Sequence, residues 1–169
     1  GDIESAKTAW EKVLEWSPDS LRAHLALAQI AEIHQDTSTA ISHYEAVLTK
    51  DSINLPLLLR IGELRYKNNE WAQAKEAFLK AQAMAPNRTA ANFWLALLSE
   101  HTGEWDEAIR LLGQVVREEE EPGVMLRLSY YYSQAGRPKQ AIALLKKLSS
   151  SEPQNPDFLS YLGAAYEQD

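Results

Sequence analysis

The stretch Ala74-Lys75-Glu76-Ala77-Phe78-Leu79-Lys80-Ala81-Gln82-Ala83-Met84-Ala85-Pro86 decides how the chain is read. A small residue at Ala74 is followed four positions on by the bulky Phe78, then by Ala81, then by Pro86. Steps of three and four trace one face of an α-helix, whereas a strand would step by two. Proline cannot continue such a helix, because it lacks the N–H and its ring clashes with the preceding turn. The same frame recurs along the chain. Ala6, Ala40, Ala74, Ala108 and Ala141 are separated by 34, 34, 34 and 33 residues. Each is followed by a bulky residue (Trp10, Tyr44, Phe78, Leu112, Leu145) and then by Val13, Val47, Ala81, Val115 or Leu148. Pro18, Pro86 and Pro153 close three of the units, and Ser52 and Glu120 stand at that place in the others.

A second register interleaves with the first. Leu27, Ile61, Leu95, Leu128 and Leu162 each precede a small residue: Ala28, Gly62, Ala96, Ser129 and Gly163. Three residues before them stand His24, Leu58, Asn92, Met125 and Leu159; four after them stand Ala31, Arg65, Ser99, Tyr132 and Tyr166. These offsets are again helical, so each unit reads as two helices. Antiparallel helices approach closely where one side chain at the crossing is nearly absent, which gives the small residues a mechanical purpose. Gly62, Ala74 and Gly163 are accordingly expected against neighbouring helices. Asn69, Gly103 and Gly136 share one repeat position between the two helices, where a left-handed cap is expected.

This pattern resembles the tetratricopeptide repeat. Leu159, Leu162, Gly163 and Tyr166 match the first half of that signature, and Ala74, Phe78, Ala81 and Pro86 match the second. His24, Asn92, Arg65 and Ser99 depart from it. The resemblance implies an all-α, right-handed superhelical solenoid of antiparallel helix pairs, forming one domain over residues 1–169. Its parts are a half repeat at 1–20, full repeats at 21–54, 55–88, 89–121 and 122–155, and a lone first helix at 156–169. Such repeats bury their faces on their neighbours, and terminal units normally carry a polar outer face. Neither end here does. The opening helix is expected to expose part of its Ile3, Trp10 and Val13 face, and the last helix Leu159, Leu162 and Tyr166. The ends read as cuts inside a longer repeat array, or as surfaces that stack on another chain.

Composition narrows the work such a scaffold can do. The 169 residues carry a net charge of −7 and are 45% hydrophobic and 24% charged, which is ordinary for a folded domain. With no cysteine, there is no disulfide framework, thiolate metal site or cysteine nucleophile. The acidic balance disfavours nucleic acid and anionic membrane surfaces, and no apolar run approaches the ~20 residues of a spanning helix. The sequence holds no glycine-rich phosphate loop, no His-Glu-x-x-His and no Gly-x-Ser-x-Gly. Catalytic residues, cofactors and metals are not expected. Of the four histidines, His34 and His43 bracket a turn, near enough in sequence to meet, but His24, His34, His43 and His101 all read better as surface residues of a helical repeat than as metal ligands. Glu104 and Asp106 read as helix-start carboxylates, and Trp71 and Trp105 as packing between repeats. Glu118 to Glu121 reads as a solvated helix end, with docking of a basic segment as its sharper alternative. Asn87-Arg88-Thr89 is a formal glycosylation sequon. The chain begins Gly-Asp-Ile rather than with Met and reads as an excised segment, so its compartment, cytoplasm or bacterial periplasm, is left open.

The resemblance also implies which side chains line a concave groove: the second, fifth, sixth, ninth, twelfth and thirteenth residues of each first helix. Carried over, these include Arg60, Glu63, Tyr66, Phe93, Trp94, Leu97, Arg127, Tyr130 and Tyr161. The Lys and Asn by which some members clamp a terminal carboxylate are replaced by Leu25 and Gln29, Leu59 and Glu63, and Phe93 and Leu97. The lining is instead aromatic with flanking arginines. Rigid aromatics give contact area at low entropic cost, and arginine can take a carboxylate bidentately. The expected function is a non-enzymatic protein–protein interaction scaffold binding a peptide with apolar anchors and an acidic residue. The second reading is a self-assembly module forming homo-oligomers through its uncapped ends or its groove. Repeats of this style are frequent in bacterial assembly, secretion and envelope proteins.

Overall fold

A computed structural model of the chain describes residues 2–86 and 89–169, so Asn87 and Arg88 of the sequon lie outside the described residues. The described residues form ten α-helices and no strand: α1 (Ile3–Trp16), α2 (Leu21–Ile33), α3 (Thr37–Leu48), α4 (Leu55–Lys67), α5 (Trp71–Met84), α6 (Thr89–Thr102), α7 (Trp105–Glu118), α8 (Pro122–Gln134), α9 (Pro138–Ser151) and α10 (Pro156–Glu167). They gather into two compact units, residues 1–85 and 86–169.

Local chemistry sets the helix ends. Asp2, Ser20, Asp36 and Asn54 accept backbone N–H groups of α1 to α4 through their side chains, which satisfies donors the first turn leaves orphaned. Proline opens α4, α8, α9 and α10 within the first two positions, where its missing N–H costs nothing. The turns inside the hairpins are one motif repeated four times. Asn69 (φ 62°), Gly103 (φ 72°) and Gly136 (φ 68°) take the expected left-handed conformation, and Gln35 (φ 59°) does so as well. Behind each, the next N–H bonds back to the carbonyl five residues earlier: Asp36 to Ala31 (2.8 Å), Glu70 to Arg65 (2.9 Å), Glu104 to Ser99 (2.8 Å) and Arg137 to Tyr132 (2.8 Å). This is the six-to-one closure of a Schellman cap.

In the first unit α2 pairs with α3, α4 with α5, and α1 lies on α2. Its core joins Ala28, Ala40, Tyr44, Val47, Ile61 and Leu64. The expected small-to-large crossing is present: a Cβ on Gly62 would stand 2.7 Å from Cζ and 2.8 Å from Cδ1 of Phe78, whose side chain is fully buried. In the second unit α6 pairs with α7 and α8 with α9, and α10 closes on α9. Met125, Ile142, Leu145, Leu148, Phe158 and Ala165 form a core there.

The positions that depart from the signature are mostly polar and find polar partners. Asn92 is buried and donates to Gln114 Oε1 at 3.0 Å. Arg65 pairs with Glu45, and His24 with His43. Gly163 corrects one expectation. Among the described residues nothing lies within 4 Å of a Cβ placed there, since none of their helices packs against that face of α10. Leu159 and Tyr166 are exposed as expected, whereas Leu162 is half-buried against the second unit's core. At the other end Ile3 is exposed, while Trp10 and Val13 are half-buried.

Candidate functional site: the linings of the first helices

In the second unit, three first helices bring their lining residues together. Glu100 of α6, Gly123, Leu126, Arg127 and Tyr130 of α8, and Tyr161 of α10 surround a depression of about 280 Å³. Three of the nine side chains expected from sequence, Arg127, Tyr130 and Tyr161, therefore share one site. Tyr161 is 44% exposed. Tyr130 is held from behind by Trp105 of α7, edge to face at 6.1 Å, and Trp105 also rests on Tyr131 at 6.0 Å. Trp105 thus packs between one repeat and the next, as read from sequence. Trp71 meets Tyr66 within its own hairpin, at 5.1 Å.

Beneath the depression lies an arrangement the sequence reading missed. Glu100 Oε2 accepts both the hydroxyl of Tyr131 (2.6 Å) and Nη1 of Arg127 (2.7 Å). Tyr131 is fully buried. Burial first, and then its hydrogen bond to the Glu100 carboxylate, push its hydroxyl far above the usual phenol range. The first unit repeats the device. Glu32 Oε1 accepts the hydroxyl of Tyr44 at 2.6 Å and Nε of Arg60 at 3.0 Å, and Arg60 also gives Nη1 to Glu63 at 2.9 Å. In both units the glutamate is the twelfth residue of a repeat and the arginine the sixth residue of the next, 28 and 27 positions on.

These pairings change what the arginines offer. Arg60 is shared between two carboxylates, so an incoming acid meets a neutralised group. Arg127 gives one N–H to Glu100, and its side chain is 43% exposed. A guanidinium has five donors, so its outer edge can still address acceptors in the depression. Phe93 and Trp94 lie edge to face at 5.8 Å, both half-buried, while Leu97 is 8% exposed and offers little surface.

The remaining candidates resolve into structural contacts. His43 meets His24 rather than His34, Nδ1 to Nδ1 at 2.9 Å. His24 and His43 face each other from α2 and α3, whereas His34 sits at the C-terminal end of α2 and points to Glu4 at 3.3 Å. His24 gives its Nε2–H to the carbonyl of Pro18 (2.9 Å), so in its neutral form its Nδ1 accepts from His43. Burial, and then the charge of His24, lower the His43 pKa below its usual value. Glu104 begins α7 without a side-chain cap, and Asp106 pairs with Arg137 at 2.6 Å. Of the acidic run, Glu119 accepts from Thr89 and Glu120 pairs with Lys147. Among the described residues, no three His, Asp or Glu side chains are grouped as metal ligands would be. No helix among them is long and apolar enough to cross a membrane.

The tetratricopeptide repeat profile matches residues 1–52, 59–122 and 126–169. The chain belongs to the tetratricopeptide repeat family, and is a protein-interaction scaffold of a generally non-enzymatic fold. It is 31% identical over 101 residues to the type IV pilus assembly protein PilF of Pseudomonas aeruginosa, covering 59% of this chain and 40% of that protein. It is 26% identical over 180 residues to cellulose synthase operon protein C of Escherichia coli, covering 98% of this chain and 16% of that protein. It thus spans well under half the length of either relative. Its fold is shared with MamA (TM-score 0.80, 21% identity, 89% of this chain and 83% of that one). It is shared likewise with YrrB, described as a TPR protein with an unusual peptide-binding site (TM-score 0.79, 19% identity, 94% and 82% covered).

Proposed function

We propose that the depression between α6, α8 and α10 receives an apolar side chain of an extended protein segment. The observation that carries this reading is the convergence of Leu126, Tyr130 and Tyr161 around an open space edged by Arg127. An aromatic or branched aliphatic anchor fits such a lining, and rigid tyrosines with an arginine are the side chains that dominate protein interfaces. The outer N–H groups of Arg127 and the tyrosine hydroxyls suit backbone carbonyls or a carboxylate next to the anchor. Because Glu100 already balances Arg127, an acidic neighbour adds modestly, and the apolar anchor supplies most of the affinity. The Tyr131–Glu100 bond fixes Arg127 before the partner arrives, which spares part of the entropy of ordering it. Phe93 and Trp94, in the same unit, stand at lining positions by sequence and would extend the contact beyond the anchor. The pilus-assembly relative favours a partner that belongs to a multiprotein assembly.

A phage-displayed library of random peptides, panned on the chain, tests this. The selected peptides share one apolar anchor. They lose about tenfold or more in affinity on Tyr161→Ala combined with Arg127→Gln, the loss expected when central anchors are removed. Peptides that bind this double variant as well as wild type, with both proteins equally folded by circular dichroism, would refute the site.

A further inference from the structure

The first unit holds the same repeat location twice, once filled and once open. Between α3, α4 and α5, Arg65 donates Nη2 to the carboxylate of Glu45 and Nη1 to the backbone carbonyl of Gln73 at 3.4 Å. Leu58, Ile61 and Ala77 line the hollow around it, and its side chain is only 19% exposed. One repeat earlier, 34 residues back in each case, Glu11 stands for Glu45, Thr39 for Gln73 and Leu27 for Ile61. At the place of Arg65 stands Ala31. The acceptors are kept and the guanidinium is missing. The filled location draws on α3, α4 and α5 alone, which correspond to α1, α2 and α3, so both versions are built entirely from described helices.

Ala31 ends at its methyl group, and the room that the Arg65 side chain fills beside α5 is left as a cavity of about 340 Å³ beside α3. Leu27, Ile30 and Ala31, all buried, form its apolar floor, and Glu11 and Thr39 line it as well. Its charges are unbalanced: Glu4, Glu11 and Asp36 stand against Lys7, with His34 and His43 as the other titratable groups of the lining. Asp36 caps α3 and Glu4 faces His34, which leaves Glu11 as the acceptor that an incoming cation meets. Lys7 reaches Glu11 only at 4.0 Å, with side chains 46% and 52% exposed, and such an exposed pair is worth little in water. The open location is therefore an apolar slot whose carboxylate is under-compensated at the place where its neighbour holds a guanidinium.

We propose that the cavity between α1, α2 and α3 binds a guanidinium group on an aliphatic stem: an arginine, either as a side chain of a partner protein or as the free amino acid. The guanidinium takes the part that Arg65 plays one repeat on. It gives one N–H edge to the Glu11 carboxylate and another N–H to the Thr39 carbonyl, while its methylenes lie over Leu27 and Ile30. Lysine is the poorer ligand, because its compact ammonium lacks the planar fork that addresses both acceptors at once. The site is independent of the tyrosine-lined depression, with which it shares no residue.

Amide chemical-shift titration of the chain with Nα-acetyl-arginine amide, free arginine and Nα-acetyl-lysine amide tests this. The arginine probes shift residues around Glu11, Ala31 and Thr39 and saturate in the millimolar range, as befits a single side chain, and the lysine probe binds more weakly. Binding of the blocked amide assigns the site to an arginine within a partner chain; binding of free arginine alone assigns it to the amino acid. Glu11→Gln, at an exposed residue, weakens binding about tenfold, the scale of losing a hydrogen bond to a charged group. Ala31→Arg supplies the missing group from within and abolishes binding; should that variant not fold, Glu11→Gln decides alone. Shifts centred outside α1, α2 and α3, equal binding of the arginine and lysine amides, no saturable binding of either arginine probe, or undiminished affinity in Glu11→Gln would each overturn the proposal.

Discussion

Gly62→Ala and Gly163→Ala are the same substitution at the same repeat position, and the structure gives them opposite signs. A methyl group on Gly62 stands 2.7 Å from Cζ and 2.8 Å from Cδ1 of Phe78, well inside van der Waals contact. Phe78 is fully buried, and its ring cannot swing aside as the end of a flexible chain can. Overpacking a core in this way costs about 1–3 kcal/mol. The gain in helix propensity from glycine to alanine returns up to about 1 kcal/mol, so the net effect is destabilising by roughly 1–2 kcal/mol. At Gly163 no atom lies within 4 Å, the overpacking cost vanishes, and the propensity gain of up to about 1 kcal/mol remains. Urea unfolding followed by circular dichroism, at concentrations dilute enough to exclude self-association, reads both. Phe78→Leu in the Gly62→Ala background should recover part of the loss, giving a coupling that Phe78→Leu with Gly163→Ala lacks. If Gly62→Ala stabilised the protein as Gly163→Ala does, the small-residue crossing would not be a packing device.

Four further outcomes follow from the contacts described. Tyr131→Phe removes a donor from a charged acceptor in a buried setting and should cost about 1.5–3 kcal/mol in urea unfolding; a loss under half a kcal/mol would show Glu100 to be satisfied without it. Glu120→Ala breaks a pair whose side chains are 55% and 63% exposed and should change stability by less than about 0.5 kcal/mol. Gln35→Gly relieves a left-handed conformation held by a side-chain-bearing residue and should raise the denaturation midpoint, worth up to about 1 kcal/mol. The His43 pKa is lower in the folded chain than its unfolded value, so the unfolded state binds more protons. This contribution is fully present above the unfolded value and is lost as pH falls through the folded one. His43→Gln should flatten that acid-side slope of midpoint against pH, and an unchanged slope would remove His43 as its source.

The helices were legible because a fixed frame of 33 or 34 residues leaves its mark on every unit, and the frame also placed Asn69, Gly103 and Gly136 in left-handed caps. Gln35 escaped because residue type signalled the cap elsewhere, while at Gln35 the position alone imposes it. The Glu32–Arg60 and Glu100–Arg127 pairs escaped for a different reason. They join the twelfth residue of one repeat to the sixth of the next, a separation no single-helix pattern contains. The signal was available in the recurrence of opposite charges at those two repeat positions. Of the expected lining, Arg127, Tyr130 and Tyr161 meet because α8 and α10 present equivalent faces in the second unit, whereas Leu97 is drawn into the core by a helix apolar around most of its circumference. His34 and His43 are close in sequence, but helix direction turns His43 toward His24.

The claim that the first helices of the second unit hold the recognition site is tested most directly by amide chemical-shift mapping with a library-selected peptide. The largest changes should fall on α8 and α10, centred on Leu126, Tyr130 and Tyr161, and should vanish in the Tyr161→Ala, Arg127→Gln variant. Changes centred on the second helices α7 and α9, with α8 and α10 silent, would contradict it.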